Sequence, residues 1–236
     1  MMNALAWLSE DPTLFPDIDD ALTEPNGLLA AGGDLSEARL IEAYRRGIFP
    51  WFEDGQPILW WSPDSRCVID PLSFSPGRSL AKRIRKADFE LRIDDAFSQV
   101  IDHCQQRTGD TGTWITDEMK AAYLDLHDSG FAHSFECYIN GTLCGGLYGL
   151  SIGNLFFGES MFHHVTDASK LAFTGLMKTM ANAGCPMVDC QLPNPHLLSL
   201  GAFELPRDQF RQVLDKHIDK PSIDWSQLRG VCPVIW

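Results

Sequence analysis

Between His133 and Phe162 the chain reads HSFECYI, then Asn140-Gly141, TLCGGLYGLSI, a Gly153-Asn154 turn and NLFFGESMF, three apolar runs hinged at two turn dipeptides. Short runs rich in aromatic and branched residues are strands, and joints this brief return the chain alongside itself, so the natural reading is three consecutive antiparallel strands. Such a meander leaves an apolar face to be covered, and the flanking sequence supplies helices. Thr116 caps a helix running to Gly130. A second helix spans about Ala168 to Ala183, stopped by Gly184, and leads into a short strand, MVDCQ. HLLSLGAF and a last helix near Arg207 to His217 complete this part, which places the chain in the α+β class.

Upstream, Asp34 or Ser36 starts a helix through Arg46 with Leu40, Ile41 and Tyr44 inward and Gly47 as its stop. After a basic segment come a strand around Phe89 to Ile93 and a helix from about Asp95 to Arg107, in which Phe97, Val100, Ile101 and Cys104 recur at helical spacing. TGDTGTWIT follows as a linker. The stretch YRRGIFPWFEDGQPILWWSP, Tyr44 to Pro63, is too broken for one helix or strand, yet it holds Phe49, Trp51, Phe52, Trp60 and Trp61 among three prolines. Rigid aromatic area on a proline-braced backbone suits a pocket wall; core packing accounts for the same composition. The chain is read as a small N-terminal domain carrying this aromatic segment, 1–65, and a larger domain, 66–236.

With 236 residues there is enough chain for these cores, and no run is long and apolar enough for a membrane span or a secretion signal, so a cytoplasmic, monomeric protein is expected. Seven scattered cysteines without a CxxC pair argue for reduced thiols and against a disulfide framework or zinc site. Adjacent His163 and His164 point to opposite faces of a strand with no ligand spacing near them, and no metal or cofactor is expected. A net charge of −13 disfavours nucleic acid on average. Locally, GRSLAKRIRKADF gathers Arg78, Lys82, Arg83, Arg85 and Lys86, a basic patch that could hold RNA or be a solvated helix face.

The order of meander, crossover helix and further strand is that of the acyltransferase fold used by many N-acetyltransferases, with a mixed sheet and flanking helices. A coenzyme A enzyme needs a glycine-rich pyrophosphate cradle at the start of the crossover helix. Here that turn reads HHVTDASK, without glycine.

Seven motifs then carry a resemblance: EPNGLLAAGGDLS (Glu24 to Ser36), YRRGIFPWF (Tyr44 to Phe52), ILWWSPDSR (Ile58 to Arg66), GTWIT (Gly112 to Thr116), GESMF (Gly158 to Phe162), DCQ (Asp189 to Gln191) and NPHLLSLGA (Asn194 to Ala202). Spread over most of the chain, they resemble the bacterial leucyl/phenylalanyl-tRNA–protein transferase family. The resemblance implies a small N-terminal domain, an acetyltransferase-like C-terminal domain, and transfer of leucine, phenylalanine and less readily methionine from aminoacyl-tRNA to proteins beginning with Arg or Lys, which marks them for degradation by the N-end rule. Its alternatives are a coenzyme A-dependent N-acyltransferase and a non-catalytic RNA- or peptide-binding module.

Attack of an amine on an ester carbonyl asks for positioning, a neutral amine, a stabilised oxyanion and a protonated leaving hydroxyl. In a regular strand Asp189 and Gln191 project to one face and can act on one bound group. By resemblance Gln191 accepts a hydrogen bond from the incoming amine and Asp189 orients it. A neutral amide is too weak a base to keep the proton. Glu159, an acid in an apolar strand, is expected at a cavity edge where, with Asp189, it suits an Arg or Lys side chain. The resemblance also places Trp51, Trp114, Leu147, Phe156 and Leu176 round the aminoacyl group and Asn194 in the substrate site; His196, close after Gln191 in the chain, could donate a hydrogen bond near it. Leu147 and Leu176 stand where some members carry Met and Phe.

Overall fold

The computed structural model describes residues 5–106 and 114–232. Most of the segment read as a linker, including Gly112 and Thr113 of the GTWIT motif, lies outside the described residues, as does Arg107, the expected end of the third helix. In chain order the elements are β1 (Ala6–Leu8), β2 (Leu28–Gly32), α1 (Glu37–Arg45), β3 (Phe49–Pro50), β4 (Leu59–Trp61), β5 (Arg66–Ile69), α2 (Arg78–Ile84), β6 (Glu90–Ile93) and α3 (Phe97–Gln105). They continue with α4 (Asp117–Asp128), β7 (Ala132–Ile139), β8 (Thr142–Ile152), β9 (Leu155–His163), α5 (Ala168–Asn182), β10 (Val188–Gln191), α6 (Pro195–Ser199), β11 (Phe203–Leu205), α7 (Arg207–His217) and β12 (Gly230–Val231).

The meander forms as the turn dipeptides require. β7 pairs antiparallel with β8 and β8 with β9, and Asn140 and Gly141 both take positive φ, 52° and 75°, the two left-handed positions of a tight hairpin turn. Around this centre the large sheet runs β11-β5-β10-β9-β8-β7-β6-β12, and a small sheet runs β1-β2-β4-β3. α5 crosses over to make β10 parallel to β9, giving the acetyltransferase-like mixed sheet expected from the element order.

The two faces of the large sheet bury different things. One core gathers Leu147, Phe156, Phe173, Leu176 and Met180 beneath α5; the other gathers Phe97, Tyr123, Tyr148 and Phe157 with Leu40, Tyr44, Phe49 and Trp60 from α1 and the small sheet. The broken aromatic segment resolves into β3, a loop and β4, with Phe49 paired to Trp61 and Pro50 to Trp60. Trp60 is fully buried, donates its indole N–H to Gly32 O at 2.8 Å, and by area contributes about 4–6 kcal/mol of transfer free energy to fastening the small sheet. Gly47 ends α1 at φ +74°, and a Cβ there would sit 2.6 Å from the ring of Phe210, so glycine brings α1 and α7 together. Among the described residues no helix is long and apolar enough to cross a membrane.

Candidate active site

β9 and β10 pair only at Val188 with Phe156 and Asp189 with Phe157. Beyond these, both strands bulge. In β9 Tyr148 faces Ser160 and Gly149 faces Gly158, so Glu159 is the extra residue; in β10 Asp189 faces Val68 and Gln191 faces Cys67, so Cys190 is the extra residue. The strands part there, and a cavity of about 660 Å³ opens in the split.

The cavity meets both faces of the sheet. Leu147, Phe173 and Leu176 line it from the core beneath α5, with Met161 packed against them, while Phe49, Trp51, Trp114, Tyr148 and Glu159 line it from the side of the small sheet. Gln191, Asn194 and His196 border it as well. Thus Trp51, Trp114, Leu147, Glu159, Leu176, Gln191 and Asn194 converge. Phe156 is not among the lining residues: its ring is fully buried against Phe135 and Trp225. Asn194 spends its side-chain oxygen on capping α6, accepting Leu197 N–H at 2.9 Å.

The expectation that Asp189 and Gln191 share a face fails because the bulge breaks the two-residue alternation and Gln191 takes φ +63°. Asp189 is 1% exposed and turned inward onto Arg66, whose Nε donates to Oδ1 at 2.9 Å and Nη2 to Oδ2 at 2.7 Å. It is not among the residues that line the cavity, and both of its oxygens are taken up by Arg66. Its role in the geometry is to accept the Gln191 backbone N–H at 2.8 Å, which holds that residue in its left-handed conformation. Arg66 is fixed in turn between the rings of Phe49 and Phe210, 4.6 and 4.9 Å from its guanidinium carbon.

Gln191 reaches across the split and donates Nε2 to Glu159 Oε1 at 2.9 Å. Glu159 also accepts from Tyr44 at 2.7 Å and Tyr123 at 3.0 Å, and burial raises its pKa to about 7 against the pull of those hydroxyls. It is the one acidic residue among the lining side chains, which include no Lys or Arg. Sequence reading missed Arg66, and it took Tyr44 for an ordinary inward helix residue. The available signals were an arginine heading a strand of apolar residues, RCVI, and tyrosines on the buried faces of α1 and α4, whose hydroxyls need partners.

The basic segment forms α2 and the turn after it. Arg78, Lys82, Arg85 and Lys86 are exposed, whereas Arg83 is drawn inward by an ion pair with Asp88 and lies over the Phe89 ring. All seven cysteines are free; Cys190 is half-buried at the cavity wall, where burial pushes its thiol well up and leaves it a poor nucleophile.

Comparison with known proteins finds relatives along most of the chain. A family model described as leucyl/phenylalanyl-tRNA protein transferase matches residues 68–215, and one described as the N-terminal domain of that transferase matches residues 33–64. A protein of Stutzerimonas stutzeri named leucyl/phenylalanyl-tRNA–protein transferase is 51% identical over 94% of this chain and 99% of its own length. One of Chromobacterium violaceum with the same name is 52% identical over 93% of this chain and 94% of its own length. With a matching family model over most of its length and relatives this similar end to end, the chain belongs to the leucyl/phenylalanyl-tRNA protein transferase family.

Proposed function

We propose that the protein transfers leucine, phenylalanine and, less readily, methionine from aminoacyl-tRNA to the N-terminal amine of proteins that begin with Arg or Lys, acting as a cytoplasmic monomer in N-end rule degradation. The observation that carries this reading is the two-sided cavity in the β9/β10 split. Leu147, Phe173 and Leu176 form an apolar lobe without charge, suited to a Leu, Phe or Met side chain. Such a wall separates those side chains by only about 1–3 kcal/mol, so overlapping acceptance is expected. Trp51 and Trp114 offer flat rings to the terminal nucleoside that carries the ester. Gln191 positions the attacking amine, Asp189 and Arg66 hold Gln191, and Glu159 gives the site the negative charge that favours a cationic N-terminus.

Recognition of tRNA falls to the exposed cations Arg78, Lys82, Arg85 and Lys86, with Arg83 buttressing them. Repulsion from an acidic surface confines the polyanion to that patch. We also read the chain as two domains, 1–65 and 66–236, with β3 and the loop after it supplying Phe49 and Trp51 to a site built on the large sheet. The test incubates the protein with labelled Leu-tRNA and peptides that differ only in an N-terminal Arg or Ala. Label entering the Arg peptide is expected; transfer to the Ala peptide alone, or turnover of acetyl-CoA in its place, refutes the proposal.

A further inference from the structure

The contacts around Glu159 have a hydrogen count that does not close for a carboxylate. The Tyr44 and Tyr123 hydroxyl oxygens are 2.6 Å apart, Tyr44 is 2.7 Å from Glu159 Oε1, and Tyr123 is 3.0 Å from Oε2. These three oxygen–oxygen contacts need three hydrogens, and two phenols supply two. With Glu159 ionised, one side of the triangle sets lone pair against lone pair. With Glu159 protonated, every side is filled. The ring is therefore a seat for one proton, in the cavity wall, built from α1, α4 and β9. Gln191 sits beside it with Nε2 committed to Oε1, which leaves its amide oxygen to receive an N–H from the incoming amine.

We propose that Glu159, seated with Tyr44 and Tyr123, is the proton acceptor of the reaction: it takes the hydrogen that the acceptor amine sheds on attacking the ester carbonyl and returns it to the departing ribose oxygen. This rests on the reading of the site as aminoacyl transfer to an amine. The amine lone pair forms the C–N bond, and the ester C–O bond breaks with its electron pair going to ribose oxygen. One N–H hydrogen moves to Glu159 and then to that oxygen, so Glu159 ends as it began. Gln191, a neutral amide, orients the amine without holding its proton. The groups facing Glu159 fit the role. Burial raises its pKa to about 7, the hydroxyls of Tyr44 and Tyr123 lower it, Asp189 raises it and Arg66 lowers it. A carboxyl poised there exchanges protons readily near neutral pH.

The experiment compares wild type, Glu159→Gln and Tyr123→Phe in labelled transfer from Leu-tRNA to the Arg peptide between pH 5.5 and 9, with circular dichroism as the folding check. Glu159→Gln is expected to lower kcat at least 100-fold while KM for either substrate stays within about threefold. Tyr123→Phe removes a donor to the carboxylate, so the rising limb near pH 7 should move to higher pH by about one unit. The limb due to the peptide's own amine should stay where it is. A Glu159→Gln kcat within threefold of wild type, a loss confined to KM for the Arg peptide, or a limb that Tyr123→Phe does not move overturns the assignment and leaves aminoacyl transfer standing. A wild-type protein that transfers no label overturns both.

Discussion

Replacing Asp189 by Ala strips a buried guanidinium of its partner. Arg66 is 1% exposed, both of its hydrogen bonds to a side chain go to Asp189, and its Nη1 already lacks a partner. Removing one member of such a buried pair costs about 3–5 kcal/mol, because the remaining charge has neither water nor counterion. For a chain of this length that lowers Tm by roughly 10 °C. The same change deletes the acceptor of the Gln191 N–H, so Gln191 loses the contact that holds φ +63°, and kcat should fall well over tenfold while tRNA affinity stays nearly intact. Asp189→Asn separates the two effects. Its remaining oxygen can still accept from Gln191, so it should retain far more kcat than Asp189→Ala despite losing the charge. Thermal unfolding and single-turnover transfer, measured on both variants, decide the matter. An Asp189→Ala protein that unfolds at the wild-type midpoint yet has lost turnover would show Asp189 acting on substrate directly, and the positioning account would fall.

Trp51 is 42% exposed at the cavity rim, so Trp51→Ala should change stability by no more than about 1 kcal/mol and raise KM for charged tRNA roughly tenfold, as expected for a lost stacking partner; equal losses in folding and binding would return it to the core. Reversing Arg78 and Lys82 to Glu should raise KM for aminoacyl-tRNA and flatten its salt dependence, whereas Arg83→Glu, opposing Asp88, should chiefly lower the unfolding midpoint. Burial raises the pKa of Glu136 from 4.5 to about 7, so the fold prefers it protonated: wild type has full stability from this group below pH 4.5 and loses it as pH rises through 7. Glu136→Gln should therefore gain about 3 kcal/mol relative to wild type between pH 4 and pH 8, read from urea midpoints. Parallel midpoint shifts in the two proteins refute it.

The regular parts of this fold were legible because their signals are local. Asn140-Gly141 announces its own hairpin; Thr116 caps α4 with the expected bond to Met119 N–H, and Gly47 ends α1 where a left-handed residue is needed. Most of the pocket wall was legible too, through motifs rather than periodicity. What escaped was geometry set by pairing between distant strands. Nothing in VDCQ says that Cys190 will be squeezed out of register against Cys67, and that one extra residue turns Asp189 inward while leaving Gln191 at the cavity. Likewise Arg83 and Lys86 are equal in sequence, and only Asp88 and Phe89 folding back make one internal and leave the other in solvent.

The clamp on Arg66 has a consequence for how the protein comes into being. One of its jaws, Phe49, is made some 160 positions before the other, Phe210 on α7. The ion pair of Arg66 with Asp189 can form once β10 is made, but the guanidinium has an aromatic ring on one side only until α7 has been added.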